Sequence, residues 1–308
     1  MNDLKKFLGL FPGQGSQKVG MGQSLWASTE IAKEYFELAD KTLGFKLSKI
    51  CFSGPAENLT STDIAQPAIL TVSVICYEIA KTSPQKISLL AAAGHSLGEY
   101  SALVAAQSLT FEDAVMLVNK RGRYMQEAVA KGAGLMVAVL GKDLVEIETA
   151  ISAVKEGIVQ AANINAPGQV VVAGDVVGIN AFKVALNGGK IIPLEVSAPF
   201  HCALMKPAAD SLAKDLDALT IRPCIFPVYA NFSAKPVIDP NQIRQNLKDQ
   251  VCGRVRWVEC MENAIRDHTP ELALEFGEGK VLTGLLKKIN KELLSINIDS
   301  KEKLLEIK

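Results

Sequence analysis

The pentapeptide Gly94-His95-Ser96-Leu97-Gly98 constrains the fold of this chain more than any other stretch. The apolar segment 87–93 before it reads as a buried strand, and the small residues after it, with Leu97, Leu103 and Val104, suggest a helix from about 98 to 107. Strand, glycine turn, helix is the grammar of α/β proteins with a largely parallel sheet. Small residues flanking Ser96 permit a turn sharp enough to thrust its hydroxyl out of the sheet. The following helix directs backbone N–H groups and a partial positive charge toward the serine. The N–H of Leu97 is then a candidate oxyanion donor, an interaction worth about 2.7–4 kcal/mol. A tight packing turn with an incidental serine would carry the same letters; the strand and helix on either side favour chemistry.

The same grammar recurs along the chain. Residues 7–11 form an apolar run closed by Pro12-Gly13, a second buried strand entering a tight loop. A helix is predicted over 67–80 with Pro67 at its first position. Another, opened by Thr110-Phe111-Glu112-Asp113 in capping-box form, runs to about residue 130. The middle changes character. Strands at 135–140, 158–164, 169–173 and 190–196 with helices at 144–154 and 176–186 spell βαββαβ, the ferredoxin-like pattern. Strand-like 226–230 and 272–276 then resume alternation with helices. The expected organisation is an α/β main domain, 1–130 and 199–308, interrupted by a small α+β domain, 131–198. At 308 residues, one large domain with an insert suits the length, and no disulfide or metal staple is needed to bury a core.

Charge and cysteine usage exclude whole classes. Lys plus Arg number 33 against 33 Asp plus Glu, and phosphate neutralisation calls for a basic surplus, so nucleic acid is not the expected partner. The six cysteines include no C-x-x-C pair and no zinc-finger spacing with histidine; they read as buried apolar residues in a reducing compartment. The apolar stretch after the charged N-terminus ends at Pro12-Gly13, too short for a signal-peptide core, and residues 69–76 are interrupted by Thr71 and Ser73, so no membrane span is expected. Gly13-Gln14-Gly15 lacks the third glycine of a dinucleotide fingerprint, no G-K-S/T phosphate loop occurs, and Gly277-Glu278-Gly279-Lys280 is too short for either.

A serine hydroxyl needs a base to become a nucleophile, and the chain holds only three histidines. His95 adjoins Ser96 on the turn and suits local bonding that holds the elbow; His268 lies in a polar Arg-Asp-His-Thr-Pro segment and reads as solvated. His201, after Ala198-Pro199-Phe200 at the return to the main domain, is the base by elimination. Arg121 is the other informative residue. Ala114, Val115, Val118, Met125 and Val129 make one helical stripe, and Arg121 falls inside it while Lys120 and Arg123 fall outside. An inward guanidinium is costly unless paired, and its planar fork suits a carboxylate. That carboxylate belongs either to a structural ion pair or to a substrate.

These residues resemble the malonyl-CoA:acyl carrier protein transacylase family. Phe11-Pro12-Gly13-Gln14-Gly15-Ser16-Gln17, Gly94-His95-Ser96-Leu97-Gly98-Glu99-Tyr100, Asn165-Ala166-Pro167-Gly168-Gln169 and Pro199-Phe200-His201-Cys202-Ala203 carry the likeness. Arg254-Val255-Arg256-Trp257 and Lys280-Val281-Leu282-Thr283-Gly284-Leu285 follow in the family's order, so it covers nearly the whole chain. The resemblance implies a hydrolase-like α/β core with a ferredoxin-like insert, Ser96 as nucleophile, His201 as base and Arg121 as holder of the malonyl carboxylate. It implies oxyanion donation from the backbone N–H groups of Gln14 and Leu97, and a backbone carbonyl at Gln250, placed by its spacing to Arg256-Trp257, orienting His201. One departure is Glu278, where the family usually has proline in G-P-G-K.

The implied chemistry is ping-pong acyl transfer from malonyl-CoA to the phosphopantetheine thiol of an acyl carrier protein, through a malonyl-serine ester. It calls for no cofactor and no metal, and the expected setting is a cytoplasmic monomer in fatty acid synthesis. Phe200, beside the base, is expected to crowd the substrate α-carbon and disfavour a methyl branch. Two rivals stand beside this expectation: an esterase or thioesterase, and a catalytically silent scaffold that binds carrier protein. Esterases with such an elbow usually place the histidine late, whereas more than a hundred residues follow His201. Intact Ser96, His201 and Arg121 argue against the scaffold.

Overall fold

The computed structural model describes residues 6–84 and 87–307, so the charged opening at 1–5 lies outside the described residues. Its strands are β1 (Phe7–Phe11), β2 (Leu89–Gly94), β3 (Gly134–Leu140), β4 (Val159–Ala166) and β5 (Gln169–Asp175), then β6 (Lys190–Pro193), β7 (Val228–Tyr229), β8 (Pro236–Val237), β9 (Leu272–Phe276) and β10 (Ser295–Ile298). Six of them form one sheet in the order β10-β9-β1-β2-β7-β8, parallel throughout except for the β7–β8 pair at its edge. A parallel strand is covered on both faces and must be apolar at every position. All five residues of β1 are buried. Their alternation feeds two cores: Phe7 and Phe11 join the larger cluster with Ala92 and Phe276, while Leu8 and Leu10 join a second with Ala91, Ala93 and Trp257.

The helix expected from residue 67 begins earlier, at Thr62, and runs to Thr82 with Pro67 in its interior. Its mean hydropathy of 1.3 and 21 residues would suffice to cross a bilayer, yet 83% of its most apolar window is buried inside the protein, the mark of a core helix. The strand expected over 226–230 shrinks to Val228–Tyr229. Pro227 has no N–H to give a ladder, and Ala230 turns back to bond Lys235. Thr110 caps its helix by accepting from Asp113 N–H at 3.1 Å, whereas the reciprocal capping box stands at Asp143 and Glu146.

The remaining strands form an antiparallel sheet in the order β4-β5-β3-β6, carrying the helices Leu144–Ala153 and Val176–Ala185. Again alternation divides the residues. Val137, Val139, Val170 and Val172 pack under those helices with Phe182, while Met136, Val171 and Ala173 face the main core. The small sheet is tied to the segment before the Trp257–His268 helix by a parallel bridge: Val255 N–H donates to Ala162 O at 2.8 Å, and Ile164 N–H to Val255 O at 2.9 Å.

Candidate active site

The turn after β2 is held by sterics. A β-carbon on Gly94 would lie 1.9 Å from the Gly98 carbonyl carbon, and one on Gly98 would lie 2.0 Å from Phe11 O, so both positions admit only glycine. Between them Ser96 takes a left-handed φ of 51°, a conformation a non-glycine residue holds only where its surroundings enforce it. Asn231 enforces it: its Oδ1 accepts from Ser96 N–H at 2.6 Å and its Nδ2 donates to Gly94 O at 2.7 Å.

Ser96 Oγ faces His201 Nε2 at 2.8 Å, and His201 Nδ1 faces Gln250 O at 2.9 Å. A carbonyl can only accept, so the proton sits on Nδ1 and Nε2 is left to receive the serine proton. Burial, then the nearby Arg121 charge, push the His201 pKa down to about 3, so the ring is neutral at physiological pH. His201 also has a positive φ, 61°.

Arg121 is 1% exposed on the Phe111–Glu127 helix. Its Nη1 donates to Gln66 Oε1 at 2.8 Å; its Nη2 donates to Gln250 Oε1 at 3.0 Å and to Ser96 Oγ at 3.1 Å. No ion pair among the described residues includes it, and its Nε has no acceptor. The structural ion pair weighed from sequence is therefore not what fills the stripe. A buried guanidinium satisfied by neutral oxygens keeps unspent affinity for an anion. The flanking cations sit differently: Lys120 pairs with Asp215 at 2.6 Å, and Arg123 lies over the Tyr124 ring.

These groups border a cavity of about 340 Å³, lined on its apolar side by Met125, Met136, Val171 and Phe200. Gln14 and Leu97 line it as well, and neither backbone N–H donates within the described residues. The Gln14 side chain is tied to Thr62 Oγ1 at 3.3 Å. Ser96, His201, Arg121, Gln14, Leu97, Gln250 and Phe200 thus come to one place. The other two histidines do not join the proton path. His95 Nε2 pairs with Asn165 Oδ1 at 2.8 Å beside the Trp257 ring. His268, expected in a solvated loop, ends the Trp257–His268 helix edge-on to Tyr229. Glu278 does not loosen its loop: it is buried, pairs with Lys18 at 2.8 Å and accepts from Gly22 N–H. Among the described residues no group of three or more His, Cys, Asp and Glu is placed to hold a metal.

Sequence reasoning missed three members. Asn231 carries no local signal, lying in a loop 135 positions from Ser96. Gln66 fell just outside the expected helix. Glu99 was visible, an acid on a helix of small residues: it is 2% exposed, and burial lifts its pKa to about 7 against the lowering pull of Asn231, Gln250 and Arg121.

Residues 9–282 match the family described as "Acyl transferase domain". The chain is 45% identical over 304 residues to the malonyl CoA-acyl carrier protein transacylase of Bacillus subtilis, covering 97% of this chain and 95% of that one. It superposes with a TM-score of 0.95 on an acyl carrier protein S-malonyltransferase from Vibrio cholerae, 40% identical over 99% of this chain and 100% of the other. A malonyl-transacylase solved in complex with a type II PKS acyl-carrier protein is 39% identical, with a TM-score of 0.94 and 98% of each chain covered.

Proposed function

This chain belongs to the acyl transferase domain family and, within it, to the malonyl CoA-acyl carrier protein transacylases, and from that membership we propose that it transfers a malonyl group from malonyl-CoA to the phosphopantetheine thiol of an acyl carrier protein. The observation that carries this is the buried Arg121 guanidinium, without a carboxylate of its own, 3.1 Å from a serine that faces a neutral histidine. His201 Nε2 takes the Ser96 proton as Oγ attacks the thioester carbonyl, while Gln250 O holds the Nδ1–H. The backbone N–H groups of Gln14 and Leu97, free and at the cavity wall, receive the oxyanion. Collapse expels coenzyme A thiolate, which takes the proton from His201, and leaves a malonyl-serine ester. The carrier thiol then gives its proton to His201 and attacks the ester. Ser96 leaves as alkoxide and recovers that proton from the histidine.

Arg121 pairs with the free malonyl carboxylate and selects against acetyl, which would leave the fork unmatched in a buried site. Phe200 borders the same space and crowds a methyl branch on the α-carbon. Residues 131–198 act as an insert in the core formed by 1–130 and 199–308, supplying one wall of the cavity through Met136 and Val171. The six cysteines are all free, which suits the cytoplasm. Every group the transfer needs comes from one chain, which suits a monomer supplying fatty acid synthesis.

Intact-mass measurement after mixing with malonyl-CoA or acetyl-CoA tests the assignment. A stable malonyl adduct on Ser96 is expected, handed to carrier protein on its addition and mostly absent in Arg121→Ala. Rapid turnover to free malonate would instead establish a hydrolase, and no adduct at all would refute both enzymatic readings.

A further inference from the structure

Among the described residues, Glu99 is the one buried carboxyl group that bonds the partners of Ser96 and Arg121, and the transfer does not use it. It lies on the Gly98–Ala105 helix, three residues after the nucleophile. One of its oxygens, Oε2, accepts from Gln250 Nε2 at 2.7 Å and from Asn231 N–H at 2.9 Å. Both partners touch the reacting groups. Asn231 Oδ1 holds Ser96 N–H, and Gln250 Nε2 donates a second bond to Ser96 O at 3.0 Å. Gln250 is the more telling of the two. Its backbone oxygen faces His201 Nδ1, and its side-chain oxygen faces Arg121 Nη2.

A primary amide has one accepting and one donating end, and its two orientations are otherwise alike in shape. The oxygen of Glu99 that faces Gln250 also meets the Asn231 backbone N–H, which can only donate, so Oε2 accepts in either protonation state and commands the NH2 end. The carbonyl end is thereby turned to the guanidinium. Were Gln250 reversed, its NH2 would meet Arg121, donor against donor, beside a charge that cannot be shed. We propose that Glu99 is a positioning residue for acyl selection: by accepting from Gln250 and Asn231 at once it fixes the Gln250 amide, and so holds the Arg121 fork at the angle from which it meets the malonyl carboxylate. The lock needs an accepting oxygen at Oε2 and not the negative charge. It rests on the assignment of Arg121 to the malonyl carboxylate.

The full-length chain carrying Glu99→Met, Glu99→Gln or Gln250→Met is compared with the wild type for the rate of adduct formation on Ser96 from malonyl-CoA and from acetyl-CoA. Methionine keeps length and apolar bulk but offers no acceptor, whereas glutamine keeps an accepting oxygen at the same reach. Leaving buried N–H donors without their acceptor predicts about a thirtyfold loss of malonyl loading in Glu99→Met, carried by the KM for malonyl-CoA, with acetyl loading within about threefold of wild type. Glu99→Gln is expected to restore the malonyl-to-acetyl ratio to within about threefold. Gln250→Met, which keeps its backbone carbonyl for His201, is expected to repeat the malonyl-specific loss even if Glu99→Met does not fold. Equal losses with both acyl donors would make Glu99 merely structural and overturn the proposal. So would a Glu99→Gln variant as impaired as Glu99→Met. Failure of the wild type itself to prefer malonyl would instead overturn the assignment of Arg121.

Discussion

At the scale of single residues, the site works by withholding water from groups that want it. His201 is 4% exposed and next to a guanidinium, and its pKa falls from 6.5 to about 3. The base is therefore already neutral wherever the enzyme operates. Adduct formation from malonyl-CoA, followed from pH 5 to pH 8, is expected to show no fall from protonation of the histidine near 6.5. No limb is expected near 7 either, because Glu99 Oε2 accepts whether or not the carboxyl is charged; a limb near 6.5 in both the wild type and Glu99→Gln would contradict the assignment of the base. The same shift has a stability cost of known sign. The unfolded chain takes up the histidine proton first, so this contribution is intact above pH 6.5 and is lost as pH falls toward 3. Glu99 acts oppositely: with its pKa lifted from 4.5 to about 7, it favours the folded state at low pH and ceases to as pH rises through 7. Legibility at this scale followed contrast with surroundings. Arg121 inside an apolar stripe announced itself, and so did a histidine count of three. Asn231 did not, because an asparagine in a loop looks the same whether it faces solvent or pins the backbone of a nucleophile.

Elements were legible where the periodicity and the backbone demand agreed. β1 and the strand before the elbow are apolar at every position because both faces of a parallel sheet are covered, and β9 departs only at Glu275, whose carboxylate accepts from the Leu282 and Thr283 N–H groups. The start of the Thr62–Thr82 helix was not, since proline is read as a boundary although a helix can carry one inside when its neighbours are well packed. Glycine shows the same dependence on context. Gly98→Ala places a β-carbon 2.0 Å from Phe11 O, and that backbone belongs to a central strand that cannot yield. Overpacking of this kind is expected to cost about 3 kcal/mol or more in denaturant unfolding. By displacing Ser96, it should also slow adduct formation by about a hundredfold. Gly284 sits in the Val281–Ile289 helix with nothing within 4 Å of the position a β-carbon would take. Gly284→Ala is expected to stabilise by about 0.5–1 kcal/mol and to leave loading unchanged. Matching effects from the two substitutions would mean that the elbow is looser than its contacts imply.

Across the whole molecule, the site is a seam between two sheets. The small sheet's element order βαββαβ could be read from the sequence because each element follows the last. How that sheet attaches could not, because the bridge to Val255 joins residues about ninety positions apart and involves only backbone atoms. Several side-chain ties cross the seam, and the surroundings of two of them set those two apart. Arg254 and Glu148 meet at 2.6 Å, but each side chain is 38% exposed, and such a pair is worth no more than about 1 kcal/mol. Asn165 Oδ1 meets His95 Nε2 at 2.8 Å beside the fully buried Trp257, one residue from the nucleophile. Removing that partner leaves a ring nitrogen without an acceptor in a desolvated place, at a cost of about 1–2 kcal/mol. Asn165→Ala is therefore expected to lower the denaturation midpoint and to slow malonyl adduct formation by about tenfold. Arg254→Ala should change either quantity little, and less still at high salt. If Arg254→Ala slowed loading as much as Asn165→Ala, the small sheet would be held to the core by its rim charges. The elbow would then take its rigidity from the main sheet alone.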